Sequence, residues 1–153
     1  MTFKGILPSG GELWVNKLVD EADLLISEGF IEPHFFAGFS GGRKSVLPGI
    51  ASKKTVLWNH NAKFIANQNA RAGSLKENPI HKDMLFAAKQ AKLAFILNVI
   101  INSEKKVIEA FAGDLEQAHA YGCEKVLEIA RVTPVKSNIV LTTNKDFNGI
   151  SII

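Results

Sequence analysis

Hydrophobic and polar residues alternate along this chain in patterns that predict short strands separated by amphipathic helices. Continuous apolar residues bounded by turn signals are typical of strands covered on both faces, and the LLI run at 24–26 and the LAFILNVII run at 93–101 have this form. A Ser-Glu-Lys turn at 103–105 predicts a hairpin between 93–101 and the strand that follows. In all, the pattern predicts strands at residues 5–7, 12–16, 23–28, 93–101, 106–112 and 138–143.

Three helices are predicted from capping residues followed by apolar positions at helical spacing. Ser52 begins a helix to about Gln68, and Asn78 with Pro79 begins one that runs through Lys92. Asp114 begins a helix to about Arg131. The apolar stripes of the first two helices, which we expect to face the core, are Val56, Leu57, Phe64 and Ile65, and Met84, Leu85, Ala88 and Ala91.

Strands that alternate with helices predict an α/β fold, with a layered sheet flanked by helices. The hairpin after residue 101 makes the sheet mixed, so we expect a Rossmann-like arrangement with at least one antiparallel pair. Residues 15–22 are predicted as a short helix or connector. At 153 residues the chain suits a single domain, spanning 1–153.

Composition narrows the class of protein. Hydrophobic residues make up 46% and charged residues 22%, which is typical of a globular domain and not of a disordered chain. The net charge of +3 suits anionic small molecules and is too small to indicate a nucleic-acid partner. No apolar run is long enough to span a membrane, so we expect the chain to bind neither a nucleic acid nor a membrane. The single cysteine, Cys123, is expected to be a packed helix residue in a reducing compartment, and cytoplasmic localisation follows as an expectation.

Candidate chemistry concentrates between His34 and His60, where two imidazoles and Lys44 surround a glycine-rich turn. A partly desolvated lysine can act as a covalent anchor, and histidines can exchange protons or bind nickel, copper or zinc. Equally, each of the three can be an ordinary structural or surface residue. The turn is not a phosphate-binding P-loop, because Arg43 occupies the position of that motif's second glycine. An anion contact to the amides of the turn stays open.

A longer set of short motifs runs along the chain: HFFAGFSGGRK at 34–44, LPG at 47–49, NH at 59–60, NARAG at 69–73, NPIH at 78–81, NV at 98–99, AGD at 112–114 and LTTN at 141–144. Together these motifs resemble the lactate racemase family, which uses a nickel-pincer nucleotide. The resemblance thus covers nearly the whole chain. It implies part of the N-terminal catalytic domain of a 2-hydroxyacid racemase or epimerase.

That resemblance assigns a role to each candidate residue. Lys44 matches the lysine that holds the pyridinium-3,5-bisthiocarboxylic acid mononucleotide covalently, and His60 matches the protein ligand to its nickel. His34 matches one of two histidines that exchange the hydroxyl proton of a small 2-hydroxy acid while hydride passes to and from the cofactor. The further cofactor-binding candidates are Ser40, Gly41, Gly42 and Arg43, with a solvent-facing position as the alternative for Arg43. His81 is expected to make a hydrogen bond near a helix cap, and His119 to lie at the surface.

Family members are longer than this chain, with an upstream segment that supplies the second catalytic histidine and a downstream lobe. We therefore expect residues 1–153 to be a fragment or truncated form of the cofactor-binding lobe of a two-lobed enzyme. Two functions follow. The chain is the cofactor-anchoring part of a racemase, or it is a noncatalytic relative that binds an anionic nucleotide or a partner chain. An apolar surface that a second lobe would cover also predicts a homo-oligomer.

Overall fold

The computed structural model describes residues 1–133 and 135–136, so the strand predicted at 138–143 lies outside the described residues. The elements alternate between strands and helices, with a 3₁₀ turn at Gly42–Ser45 in the glycine-rich segment. In chain order they are β1 Thr2–Ile6, β2 Glu12–Val15, α1 Leu18–Glu21, β3 Leu25–Phe30, β4 Pro33–His34, β5 Gly38–Phe39, α2 Lys53–Asn59, α3 Ala62–Ile65, α4 Pro79–Gln90, β6 Leu93–Ile101, β7 Val107–Gly113 and α5 Leu115–Ala130.

Within residues 1–133 the main sheet has three strands in the order β3-β6-β7. Strand β3 runs parallel to β6, and β7 runs antiparallel to β6. Two small antiparallel pairs, β1 with β2 and β4 with β5, stand apart from it. The predicted α/β class, with a mixed sheet and an antiparallel hairpin, is therefore confirmed.

Helix α5 and the 3₁₀ turn cover one face of this sheet, on the side of Ile96, Asn98 and Ile100. The opposite face is open among the described residues. The prediction that the strand at 23–28 is covered on both faces is wrong, because its side chains alternate between partly buried and exposed and Ile26 is 59% exposed. An apolar run indicates that both faces of a strand favour burial, but it does not show whether another element packs against each face. The exposed apolar positions on this face include Ile26, Phe30, Phe95, Leu97 and Ile101.

The predicted helix starts are confirmed by side-chain caps. Ser52 accepts a hydrogen bond from the Thr55 amide at the start of α2. Asn78 accepts from the amides of Ile80 and His81, and Pro79 occupies the first position of α4. Asp114 accepts from two amides at the start of α5. Each cap satisfies amide groups that have no partner within the helix.

The single helix predicted from Ser52 to Gln68 is two short helices. The first ends at His60, whose ψ of 32° leaves helical geometry, and Asn61 caps the second by accepting from the Phe64 amide. Leu57 of the predicted inward stripe is 61% exposed. The break makes His60 the C-terminal cap residue of the first short helix.

Two groups of buried apolar residues hold these elements together. The larger joins β1–β2, the glycine-rich segment, α4 and the start of α5, with Leu13, Leu47, Met84 and Ile96 at its centre. The smaller lies between β6, β7 and α5. None of the helices in residues 1–133 is long and apolar enough to cross a bilayer.

Candidate functional site

The segment from β4 to the 3₁₀ turn folds into a hairpin followed by a sharp reversal that needs glycine. Gly41 and Gly42 have φ of 75° and 52°, a region that other residues enter at a cost. A Cβ on Gly41 would lie 2.8 Å from Asn98 Oδ1, and one on Gly42 would lie 2.8 Å from His119 Cδ2. Their Cα faces therefore lie against the protein, and close packing explains these glycines.

Asn98 ties this reversal to the sheet. Its side chain is fully buried, and Oδ1 accepts a hydrogen bond of 2.8 Å from the Gly42 amide. Ser40 secures the preceding hairpin, since its hydroxyl donates to the Phe30 carbonyl and accepts from the Glu32 amide. The Gly42 amide and the Ser40 hydroxyl are thus engaged within the protein. Asn98 therefore holds the reversal after Gly41, and Ser40 holds the hairpin before it.

His34 lies at the end of β4 as a partly buried, uncharged imidazole. Its Nδ1 accepts a hydrogen bond of 3.3 Å from the Ala37 amide, so the neutral ring carries its proton on Nε2. Burial, followed by the positive charges of Lys44 and Arg43 and by the His60 ring, lowers the pKa of His34 to about 4. The ring stacks on Phe35 with centroids 4.8 Å apart.

Phe36 links the two candidate histidines. Its ring is edge-on to His34 with centroids 4.6 Å apart and edge-on to His60 at 5.2 Å. Its carbonyl accepts from Asn78 Nδ2 at 2.8 Å, which anchors it to the start of α4. This role of Phe36 was not predicted from the sequence, although an aromatic residue two positions from a candidate histidine indicates a possible ring contact.

His60 has one buried ring nitrogen, Nδ1, that forms no hydrogen bond with any described residue. Burial lowers the pKa of the His60 ring, Lys44 lowers it further, and the Val56 carbonyl opposes part of the shift. The residue is partly exposed, so Nε2 is the nitrogen left to a ligand. A metal-bound histidine usually donates its second ring nitrogen to a carbonyl or carboxylate, and His60 Nδ1 makes no such hydrogen bond to the described residues.

Lys44 lies in the 3₁₀ turn and is partly buried. Burial and then the Arg43 charge lower the pKa of its amine to about 8, and Glu32 opposes part of the shift. A lysine with such a pKa has a substantial fraction of free amine near neutral pH, which a nucleophile needs. Lys44 interacts electrostatically with both His34 and His60, so the structure brings the three candidates into one neighbourhood.

Arg43 is 1% exposed, so the solvent-facing alternative is wrong. Its guanidinium donates to the carbonyls of Ala37, Ser40 and Gly41 at 2.8–3.3 Å and to Nδ1 of His81 at 3.1 Å. Burial lowers its pKa to about 10, a value at which it stays charged at neutral pH. No carboxylate pairs with it in the part of the chain that the structure describes.

His119 is buried in α5, which corrects the expectation of a surface position. Nε2 lies 2.9 Å from Arg43 Nη1, and burial followed by the Arg43 charge lowers the pKa of His119 to about 4. His81 makes the expected cap hydrogen bond through its amide, and its ring also accepts from Arg43. Cys123 is packed beside His119 as expected, and burial raises the pKa of its thiol to about 12.

The chain is similar in sequence to known proteins over most of its length. The family described as lactate racemase N-terminal domain matches residues 1–73. A lactate racemase from Thermoanaerobacterium thermosaccharolyticum is 62% identical over 144 residues, which cover 94% of this chain and 34% of that protein. The lactate racemase of Lactiplantibacillus plantarum is 59% identical over 140 residues, covering 92% and 33%.

Solved structures give the same result. The lactate racemase apoprotein from Thermoanaerobacterium thermosaccharolyticum aligns with a TM-score of 0.83 at 64% identity, over 84% of this chain and 31% of that one. A Thermotoga maritima protein aligns with a TM-score of 0.65 at 27% identity, over 84% and 36%. This chain belongs to the lactate racemase family and matches part of the family's N-terminal domain. It spans about a third of the length of the curated relatives that it matches.

Proposed function

We propose that this chain is the cofactor-anchoring part of a 2-hydroxyacid racemase or epimerase. In this proposal Lys44 holds a nickel-pincer nucleotide covalently, His60 binds its nickel, and His34 exchanges the hydroxyl proton of a small 2-hydroxy acid. The observation that carries the proposal is the shared neighbourhood of a low-pKa amine and two uncharged imidazoles. Two relatives named lactate racemase support the reaction class.

The residues present fit such a cofactor. His60 would hold the nickel through Nε2, and sulfur and carbon donors of the nucleotide would supply the remaining ligands. Burial and the nearby cations disfavour the protonated form of that ring, which leaves it free to bind a metal. No group of three or more potential metal-ligating side chains occurs among the described residues, so a metal here would depend on ligands from the cofactor.

His34 can move a proton in either direction. In the neutral ring, Nε2 carries the proton and can donate it to an oxygen of the substrate. To accept a proton at Nε2, the ring must first shift its own proton to Nδ1 and release the Ala37 amide. That hydrogen bond is long, at 3.3 Å, so the shift costs little. A bound carboxylate raises the pKa of His34 and so favours the accepting direction.

When bound, the nickel-pincer nucleotide would supply a ring that accepts hydride from the substrate carbon and returns it. The surroundings of His34 suit a substrate with an apolar end, since Phe35 and Phe36 lie against its ring. Arg43 contributes positive charge to the same neighbourhood, which favours an anionic substrate.

Mass spectrometry after coexpression with the enzymes that build the cofactor tests this proposal. We expect an adduct on the wild-type chain that is lost in Lys44→Ala, together with bound nickel. An unmodified and nickel-free wild-type chain under conditions that load a full-length relative would contradict the proposal.

We also propose that the open sheet face promotes self-association. Ile26, Phe30, Phe95 and Leu97 form a contiguous exposed apolar surface on β3 and β6. Surfaces of this kind on a folded domain favour association with a second copy. Light scattering after size-exclusion chromatography should show a dimer or larger species. A monomer at high concentration, with the same result for Leu97→Lys, would contradict this.

A further inference from the structure

The buried guanidinium of Arg43 has more partners than any other side chain in the described residues, and none of them is a carboxylate. A buried arginine is usually paired with an acid, because an isolated buried charge is costly. Here carbonyl oxygens and two histidines take that place. An arrangement that keeps an uncompensated charge calls for a role that the charge itself performs.

The carbonyl partners define one role. Ala37, Ser40 and Gly41 all belong to the hairpin and reversal that lead into the 3₁₀ turn, and their carbonyls converge on the same planar fork. Arginine suits this task because its donors lie in a fixed plane. The fork therefore holds the backbone on the N-terminal side of Lys44, the next residue in the chain.

The two histidines define the other role. A guanidinium only donates, so His81 Nδ1 and His119 Nε2 accept from it and each ring is uncharged. The Ser40 carbonyl, which lies 2.9 Å from the same His119 nitrogen, accepts from Arg43 Nη1. Uncharged acceptors satisfy the donors without neutralising the cation. The positive charge thus remains effective at Lys44.

We infer that Arg43 is a positioning residue for Lys44, which fixes the turn through three carbonyls and keeps an unneutralised positive charge beside the amine. This inference rests on the proposed function of Lys44 as the anchor, and it adds the residues that prepare it. His81 and His119 serve as acceptors that leave the charge intact. The sequence motif gave no reason to connect residues 81 and 119 with the anchor.

The charge has a consequence that a purely structural role lacks. Burial lowers the pKa of Lys44 to about 8, and Arg43 is the largest charged contributor in the same direction. Glu32 is the opposing group, and the uncharged rings of His34 and His60 face the same amine. Loss of the Arg43 charge should therefore raise the pH at which Lys44 becomes nucleophilic.

The test is the pH profile of Lys44 acetylation by acetic anhydride, followed by peptide mass spectrometry, with exposed Lys53 as the internal reference. Arg43→Met removes the charge at similar length and should raise the Lys44 midpoint by about half to one pH unit, slowing labelling at pH 7.5 by roughly three- to tenfold. Arg43→Lys restores a positive charge and should bring the Lys44 midpoint most of the way back to its wild-type value. If Arg43→Met does not fold by circular dichroism, Arg43→Gln carries the same expectation.

Thr55→Val provides the matched structural control. Thr55 is fully buried and its hydroxyl bonds to β2, so its loss should destabilise the fold without moving the Lys44 midpoint. A folded Arg43→Met or Arg43→Gln variant with an unchanged midpoint overturns the inference, as does an equal shift in Thr55→Val. This assay needs no cofactor. Failure to form an adduct on wild-type Lys44 would overturn the proposed function instead and leave this result intact.

Discussion

Phe36 meets the His60 ring edge-on, with centroids 5.2 Å apart and planes at 89°. The same ring is edge-on to His34, so one buried aromatic side chain sets the spacing of the two candidate histidines. Edge contacts of this kind favour one relative orientation of the rings.

Replacing Phe36 by Leu should therefore disturb both histidines at once. We expect a loss of about 1–2 kcal/mol in the free energy of unfolding, because an aromatic ring is exchanged for a smaller side chain in a buried site. The ring proton resonances of His34 and His60 should both shift in NMR spectra. Phe35→Leu is the control, since Phe35 is 75% exposed and contacts the rings of His34 and Phe36 but, among the described residues, not the ring of His60. Unchanged His60 resonances in Phe36→Leu would show that the link is unimportant.

Removal of His60 should separate nickel binding from cofactor attachment. In the His60→Ala variant we expect the mass adduct on Lys44 to remain while nickel, measured by elemental analysis, falls to background, because the proposal takes one nickel ligand, the His60 ring nitrogen, from the described residues. His119→Asn is the control, as His119 is also buried but engages Arg43. Retention of nickel in His60→Ala at the wild-type ratio would refute the ligand assignment.

The close approach of α5 to the glycine reversal predicts intolerance of a side chain at residue 42. A Cβ there would lie 2.8 Å from His119 Cδ2, so Gly42→Ala should cost about 2–4 kcal/mol of unfolding free energy. Gly10→Ala is the matched control, because Gly10 also has positive φ, of 96°, but its nearest neighbour is 3.9 Å away. Chemical denaturation should show the larger loss for Gly42→Ala. Equal losses would mean that backbone strain alone accounts for the effect.

Acid should destabilise the fold through its buried histidines. Burial lowers the pKa of His119 from 6.5 to about 4 and that of His81 to about 3. Above pH 6.5 the His81 and His119 rings are neutral in both the folded and the unfolded state. Below it the unfolded chain binds protons first, so stability falls until the folded rings also titrate. Stability against pH should therefore decline from about 6.5 towards 4.

The His119→Asn variant checks this decline. The substitution removes one ring that binds a proton in the unfolded chain. Between pH 6 and 4.5 the stability of the variant should therefore fall less steeply than that of the wild type, by up to about 1.4 kcal/mol per pH unit. Thermal melts across this range measure the slopes. Parallel wild-type and variant curves would count against a buried, neutral His119.

Local signals in the sequence predicted the helices well, and distant contacts explain most of what they missed. Asn78-Pro79 and Asp114 are complete caps in themselves, so α4 and α5 begin where predicted. Asn61 also caps a helix, but the apolar spacing continues through it and so predicts one uninterrupted helix. A local pattern of this kind predicts helical structure without showing where a helix is interrupted.

His119 and Arg43 show what the sequence can and cannot predict about burial. The burial of His119 could have been predicted, because Leu115, Gly122 and Val126 share its face of α5 at helical spacing. The burial of Arg43 could not, since its histidine partners lie 38 and 76 residues away. The expected roles of His34, Lys44 and His60 came from the family resemblance, and they stay predictions.

Lys44 as the point of cofactor attachment is the central claim, and tandem mass spectrometry of peptides from the coexpressed chain tests it most directly. We predict a single modified site, at Lys44, with the neighbouring Lys53 and Lys54 unmodified and no adduct in Lys44→Arg, which keeps the charge without an amine nucleophile. An adduct on another lysine, or one that persists in Lys44→Arg, would contradict the account.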